Sequence, residues 1–290
     1  MIIGVIFLVL AIMYLISWKK KNISVKMLVK AVIAQFLIAV ILVKVPAGRY
    51  VVSKVSDAVT SVINCGQDGL SFVFGSLADS TAAAGSVFAI QVLGNIVFLS
   101  ALVSFLYYIG ILGFVVKWIG KAVGKLMGTS EVESFVAVAN MFLGQTDSPM
   151  PVAMVALVAA VNKLLGVCGI SLQQVFSYVF APFGFFLGLD PSEILLEGNL
   201  LGSKLVLNEF VAFQQLGGMI SSMDYRTGMI FAISLCGFAN FSSLGICVSG
   251  IAVLCPEKKS TLARLVFKAM LGGVAVSLIS AMTVGLVTLC

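Results

Sequence analysis

The chain contains no histidine, which removes zinc-protease helices, Ser-His-Asp triads and histidine proton relays together. Charge is scarce as well: 10% of the residues are Asp, Glu, Lys or Arg, where a soluble domain carries roughly 25%. The cysteines (Cys65, Cys168, Cys236, Cys247, Cys255 and Cys290) form no C-x-x-C pair, so neither a disulfide framework nor a cysteine metal site is expected. The net charge of +6 lies in short loops, and with no basic domain or arm, nucleic acid is not an expected partner. Enzyme chemistry retains only Lys163 or Lys204 with a serine, in no recognisable motif; the chain is read as non-enzymatic, without catalytic residues.

What is present is apolar. Hydrophobic residues make up 60% of the 290, and the mean hydropathy is +1.14. Residues 87–116 and 229–254 carry almost no charge over membrane-spanning lengths, and residues 31–43 form a shorter uncharged run, so the expected class is an all-α integral membrane protein. Residues 2–18 read as a retained span, because Lys19, Lys20, Lys21, Lys26 and Lys30 follow the apolar run instead of preceding it. Basic loops stay in the cytoplasm, which puts the N-terminus outside.

A second span is expected over 31–45, with Lys30 and Lys44 snorkelling to the interfaces and Pro46 ending it. Residues 47–84, mixing Arg49, Lys54, Asp57 and Asp68 with apolar positions, read as interfacial helix and loop on the outer side. One tilted span is expected over 86–115. Beyond it, Lys117, Lys121 and Lys125 share one face and Val116, Ile119, Val123 and Leu126 another, the pattern of an amphipathic helix on the cytoplasmic surface. Ser130 is placed to cap a helix beginning at Glu131. Residues 132–149 are too short to cross and return, and read as a re-entrant helix breaking at Gly144.

Residues 152–170 cross outward, and the aromatic segment 176–189, broken by Pro182 and Gly184, lies near the outer interface. Residues 193–217 form a second re-entrant hairpin entering from outside. The span over 227–254 is interrupted at Gly237 and at 240–243, and the last span, 266–289, ends outside. The expected organisation is a scaffold over 1–128, a partial first hairpin over 129–150, a span and interfacial segment over 151–192, and a second repeat over 193–290. This is a multi-span helical bundle with re-entrant hairpins and a broken helix.

Three polar islands interrupt this pattern: residues 144–149 (Gly-Gln-Thr-Asp-Ser-Pro), 208–213 (Asn-Glu-Phe-Val-Ala-Phe) and 236–243 (Cys-Gly-Phe-Ala-Asn-Phe-Ser-Ser). Single serines in membrane helices serve as interhelical glue worth about 1 kcal/mol or less. Glu209 asks for more, since an ionised carboxylate at mid-bilayer costs about 3 kcal/mol or more. A carboxylate can accept two hydrogen bonds from vicinal hydroxyls, as a ribose presents them, while Gln145 and Asn240 each offer a donor and an acceptor. A ligand site is favoured over glue for the islands as a set.

In this order the three islands resemble the signature segments of the concentrative nucleoside transporters, as do residues 72–77 (Phe-Val-Phe-Gly-Ser-Leu) and Ala263-Arg264 after the Pro-Glu-Lys-Lys loop. The resemblance implies a cation-coupled nucleoside importer of the cytoplasmic membrane, a homotrimer in lipid. Each subunit would carry a scaffold and a transport domain built from inverted repeats. It implies base contacts from Gln145, Thr146 and, through water, Asp147. Ribose contacts fall to Glu209, Asn240 and Ser243, with Phe238 lining the pocket. For the coupling ion, sodium or a proton, it implies Asn140 and the Leu143 carbonyl as a partial sodium site, and no other cofactor. The chain departs from the family between Pro149 and Val152, where a hairpin arm, a broken helix and a further span are absent. A non-transporting, internally deleted relative with a structural role or none is therefore the alternative.

Overall fold

The computed structural model describes residues 2–78, 88–142 and 159–289, and every regular element among them is helical. The chain divides into two compact units. One comprises residues 1–25, 32–44 and 148–290; the other comprises residues 26–31 and 45–147.

In the first unit, α1 (Ile2–Ile16) packs against α12 (Lys259–Leu289). The two run antiparallel. Trp18, just past α1, lies under Arg264 and Lys268 at 4.5 and 5.0 Å, and Lys268 Nζ donates to the Ile16 carbonyl at 3.2 Å. The last span was expected from residue 266 but α12 begins at Lys259, since Lys and Arg are good helix formers whose long stems let the charge stay in water. For the same reason α2 (Val25–Val43) begins six residues before the expected Ala31 and takes Lys26 and Lys30 into its first turns. Its Ala39 and Val43 bury against Val284 and Val287 of α12, and Gln35 Nε2 donates to Ser280 Oγ at 2.6 Å.

The tightest packing is between α7 (Leu172–Leu187) and α8 (Pro191–Val206). A break at Pro182 and Gly184 is not found: α7 runs through both and ends at Gly188, which adopts φ 74°. Gly184 serves contact instead, since a Cβ there would sit 3.1 Å from Ile194 Cα. On the facing side a Cβ at Gly198 would meet the Ser177 carbonyl oxygen at 2.3 Å, and one at Gly202 the Gln173 carbonyl at 3.1 Å. Small residues spaced i, i+4 let the backbones approach, as membrane helices do. Each helix starts at a capping box, Ser171 with Gln174 and Asp190 with Glu193. A helical stretch over 159–166 precedes α7, and Asn162 joins the two by accepting from Leu172 N at 2.7 Å and donating to Gln173 Oε1 at 2.9 Å.

The second unit contains α3 (Pro46–Phe74), α4 (Phe88–Tyr108), α5 (Ile111–Met127) and α6 (Glu131–Phe142). The helix expected within 47–84 is α3, which runs unbroken from Pro46 at its first turn and ends at Gly75, where φ is 56°. The span expected to reach residue 115 stops at Tyr108: Gly110 takes φ 84° and the chain bends 79° into α5. The α5 helix is amphipathic, with Lys117, Lys121 and Lys125 exposed. Its buried stripe is Leu112, Val116, Gly120 and Gly124, closing on Val138 and Ala139 of α6; Ile119 and Leu126 lie outside that stripe. Ser130 caps α6 as expected, accepting from Glu133 N at 3.2 Å while its own N–H donates to Glu133 at 3.0 Å. Donation to its carboxylate from the Ser130 N–H and, at 2.8 Å, from the Ser130 hydroxyl holds Glu133 below its ordinary range.

By length and apolarity, α2 and the stretch Pro256–Leu289 can each cross a membrane, and the bent pair α4 and α5 adds a third candidate.

Candidate functional site

Two interrupted helices build the site. The hairpin consists of α8 and α9 (Glu209–Gly217), joined through Leu207 and Asn208. Asn208 turns the chain by capping α9, accepting from Val211 N at 2.9 Å, which leaves Glu209 as the first helical residue. The broken helix consists of α10 (Tyr225–Leu235) and α11 (Phe241–Leu254), separated by residues 236–240. Asn240 repeats the device and caps α11 through Ser243 N at 2.8 Å. The interruption expected at Gly237 and the 240–243 cluster is thus present, and so is the hairpin expected over 193–217.

A polar residue at N-cap can satisfy the free N–H groups of a helix start, and a carboxylate is favoured in the same place. Here two such starts come together. Asn240 Nδ2 donates to Glu209 Oε2 at 3.0 Å, joining the first residue of α9 to the cap of α11. Ser243 Oγ donates towards Asn240 Oδ1 at 2.9 Å and towards the Phe238 carbonyl. Asn240 and Ser243 are buried, Glu209 is half-buried and Phe238 is 38% exposed, so the cluster is open on the side where Glu209 and Phe238 lie. Most of the acceptor capacity of Glu209 remains for a ligand.

The C-terminal end of α10 is also satisfied from outside its own helix. Lys204 Nζ, from α8, donates to the Ser234 carbonyl at 2.8 Å, and Ser277 Oγ, from α12, reaches the Cys236 carbonyl at 3.3 Å. Gly237 is required beside them: a Cβ there would lie 2.4 Å from Ser277 Oγ and 3.5 Å from Lys204 Nζ. The pair of Lys204, 2% exposed, and Glu197, fully buried, was not legible as a feature of the site; the one available signal was their seven-residue spacing around Gly198 and Gly202.

Of the residues expected from sequence, Glu209, Phe238, Asn240 and Ser243 come together. Gln145, Thr146, Asp147 and Leu143 lie outside the described residues, as does the segment between Pro149 and Val152. Asn140 falls within α6, and the description does not extend to its side chain. No group of three or more Cys, Asp or Glu side chains among the described residues is arranged to hold a metal ion.

Long apolar helices, a hairpin tip and a helix broken at mid-length, meeting through a carboxylate and a carboxamide, define a polytopic helical membrane protein of the secondary-transporter class. Residues 148–285 match the model for the Na+-dependent nucleoside transporter C-terminus and residues 3–77 the model for its N-terminus, and the chain belongs to this family. An uncharacterized transporter of Haemophilus influenzae is 29% identical, covering 98% of this chain and 96% of its own. The nucleoside permease NupC of Helicobacter pylori is 26% identical, covering 96% of each. Among solved structures, CNTnw in an inward-facing substrate-bound state superposes with a TM-score of 0.86 at 26% identity, over 98% of this chain and 96% of that one.

The Haemophilus alignment runs over 403 positions, against a chain of 290 residues. More than a hundred positions of that relative therefore have no counterpart here, and because both chains are covered almost end to end they are internal. The chain is shorter than its relatives, in keeping with the expected internal loss.

Proposed function

We propose that this protein carries nucleosides across the cytoplasmic membrane by alternating access, importing them with sodium ions or protons that move down their own gradient. The hydrogen bond between Asn240 and Glu209 carries the reading, because it sets an acceptor-rich carboxylate and a carboxamide between two helix starts in a half-open cluster. In this reading Glu209, Asn240 and Ser243 hold the ribose hydroxyls and Phe238 lines the pocket. Gln145, Thr146 and Asp147 face the base, and Asn140 with the Leu143 carbonyl contributes to sodium binding. Termini outside, a homotrimer in lipid and the four-part division of the chain at residues 128, 150 and 192 belong to the same proposal. Support comes from relatives named as nucleoside permeases and from CNTnw having been solved both inward-facing with substrate and, as a variant, outward-facing.

Labelled-uridine uptake into proteoliposomes tests this. Saturable uptake that responds to a sodium or proton gradient and is lost in Glu209→Gln is expected; uptake indifferent to both would sink the proposal. The internal shortfall against the relatives favours a second reading, a non-transporting member that inserts and oligomerises. It predicts no saturable uptake in a well-folded protein.

A further inference from the structure

The hairpin encloses two ionisable side chains that nucleoside binding leaves without a task. Glu197 and Lys204 stand two turns apart on one face of α8, at 0% and 2% exposure. Lys204 spends a proton on the Ser234 carbonyl and lies within electrostatic reach of Glu209, Cys236 and Glu197. Glu197 sits beside Ser234 and Lys204, yet neither of its carboxyl oxygens has a hydrogen-bond partner. The Ser234 hydroxyl is already committed to the Phe231 carbonyl at 2.8 Å.

The elements around α8 supply no further donor of charge. Along α7 there is no charged residue, and its Tyr178 is 70% exposed. On α9 the facing group is Glu209, itself an acid. On α10, Arg226 is engaged with the carbonyls of Gly188 and Leu187 at 2.9 and 3.1 Å; Cys236 lies at the other end and Asp224 at the cap. The titratable residue of α11 is Cys247. Within α8, Glu193 accepts from the Thr227 hydroxyl at 3.2 Å. Among the described residues Lys204 is thus the cation that Glu197 and Glu209 share. An enclosed carboxylate anion needs donors, whereas a carboxyl group that keeps its proton brings its own.

We propose that Glu197 is a proton-binding site, and that its proton is the ion coupled to the movement of the α8–α9 hairpin. The proposal rests on the transport reading and names the coupling ion within it. While α7, α10 and α11 enclose α8, the proton stays on the Glu197 carboxyl and the Lys204 charge is left to Glu209. When the hairpin moves and water enters, the proton leaves to water and Lys204 balances the Glu197 carboxylate formed. A cavity with room for about one water molecule lies beside this cluster, lined by Lys204, Ser234 and Ser277.

Infrared spectroscopy of the lipid-reconstituted protein, with and without Glu197→Gln, reads the proton directly. The wild type at neutral pH should show a carboxylic-acid C=O stretching band that Glu197→Gln removes and Glu209→Gln leaves; superimposable spectra of wild type and Glu197→Gln would overturn the assignment. Should the glutamine variant not fold, Glu197→Met supplies the same comparison. In proteoliposomes, exchange of labelled uridine should persist in Glu197→Gln while uptake driven by an inside-alkaline pH gradient falls at least tenfold. Gradient-driven uptake at the wild-type rate would refute the coupling role. A wild type that exchanges no uridine refutes the nucleoside reading instead, and the infrared comparison still decides whether Glu197 holds a proton.

Discussion

Replacing Asn240 by alanine removes two interactions of different kinds from one position. The first is the cap of α11, an Oδ1 acceptor 2.8 Å from Ser243 N, of a kind worth about 1 kcal/mol. The second is the 3.0 Å bond from Nδ2 to Glu209, an interhelical hydrogen bond worth about 0.6 kcal/mol on average in membrane proteins and up to about 1.7. Ser243 Oγ keeps an acceptor in the Phe238 carbonyl, so no third loss is expected. The total, about 2 kcal/mol, corresponds to a fall of about 5 °C in the unfolding temperature. Circular dichroism of the detergent-purified protein during heating measures it. A double-mutant cycle with Glu209→Ala separates the two losses, because the cap is indifferent to Glu209 and the interhelical bond is not. A coupling energy near 1 kcal/mol is predicted. Zero coupling, within about 0.3 kcal/mol, would mean that the hairpin tip and the broken helix are not joined as described.

Two further outcomes follow from the packing and the caps. Gly198→Ala forces a Cβ to within 2.3 Å of the Ser177 carbonyl and should cost about 1–3 kcal/mol in the same melting assay, whereas Gly217→Ala, with nothing within 4 Å, should be neutral or slightly stabilising. Hydrogen bonds from Thr227, aided by Arg226, hold Asp224 below its ordinary carboxylate range. A lowered value in the folded state means stability that is present above the ordinary value, near pH 4, and is lost as pH falls through the lowered one. Melting curves should therefore show the wild type losing more stability on acidification than Asp224→Asn; parallel pH profiles would contradict the capping role.

Local chemistry made much of this arrangement legible. Asn208 and Asn240 announce helix starts because a short carboxamide satisfies free N–H groups, and the Gly237 region reads as a break because its polar residues lie inside an apolar span. Ser130 with Glu133 was readable for the same reason. Boundaries that depend on geometry beyond the local pattern were not. Nothing before residue 115 signals that Gly110, and not the run of lysines, ends α4; Gly113 would have been an equal candidate. Pro182 and Gly184 look like punctuation, yet α7 runs through both, and Gly184 is a point of close contact with Ile194. Glu197 resembles the polar face of an amphipathic helix, and its enclosure depends on tertiary packing, with α7 close at Gly198 and Gly202 and α10 on the Ser234 side. The residue types of the Glu209–Asn240–Ser243 cluster are readable from sequence; their convergence is a matter of tertiary structure.

The central claim is that Glu209 and Asn240 receive a nucleoside through its sugar hydroxyls. Equilibrium binding of radiolabelled uridine to the purified protein in lipid nanodiscs tests it most directly, because it requires no transport and no gradient. Hydrogen bonds to a charged group contribute about 1.5–3 kcal/mol, so saturable binding in the wild type should weaken at least about tenfold in Glu209→Gln. Equal affinity in the two proteins, or no saturable binding by a folded wild type, would contradict the account.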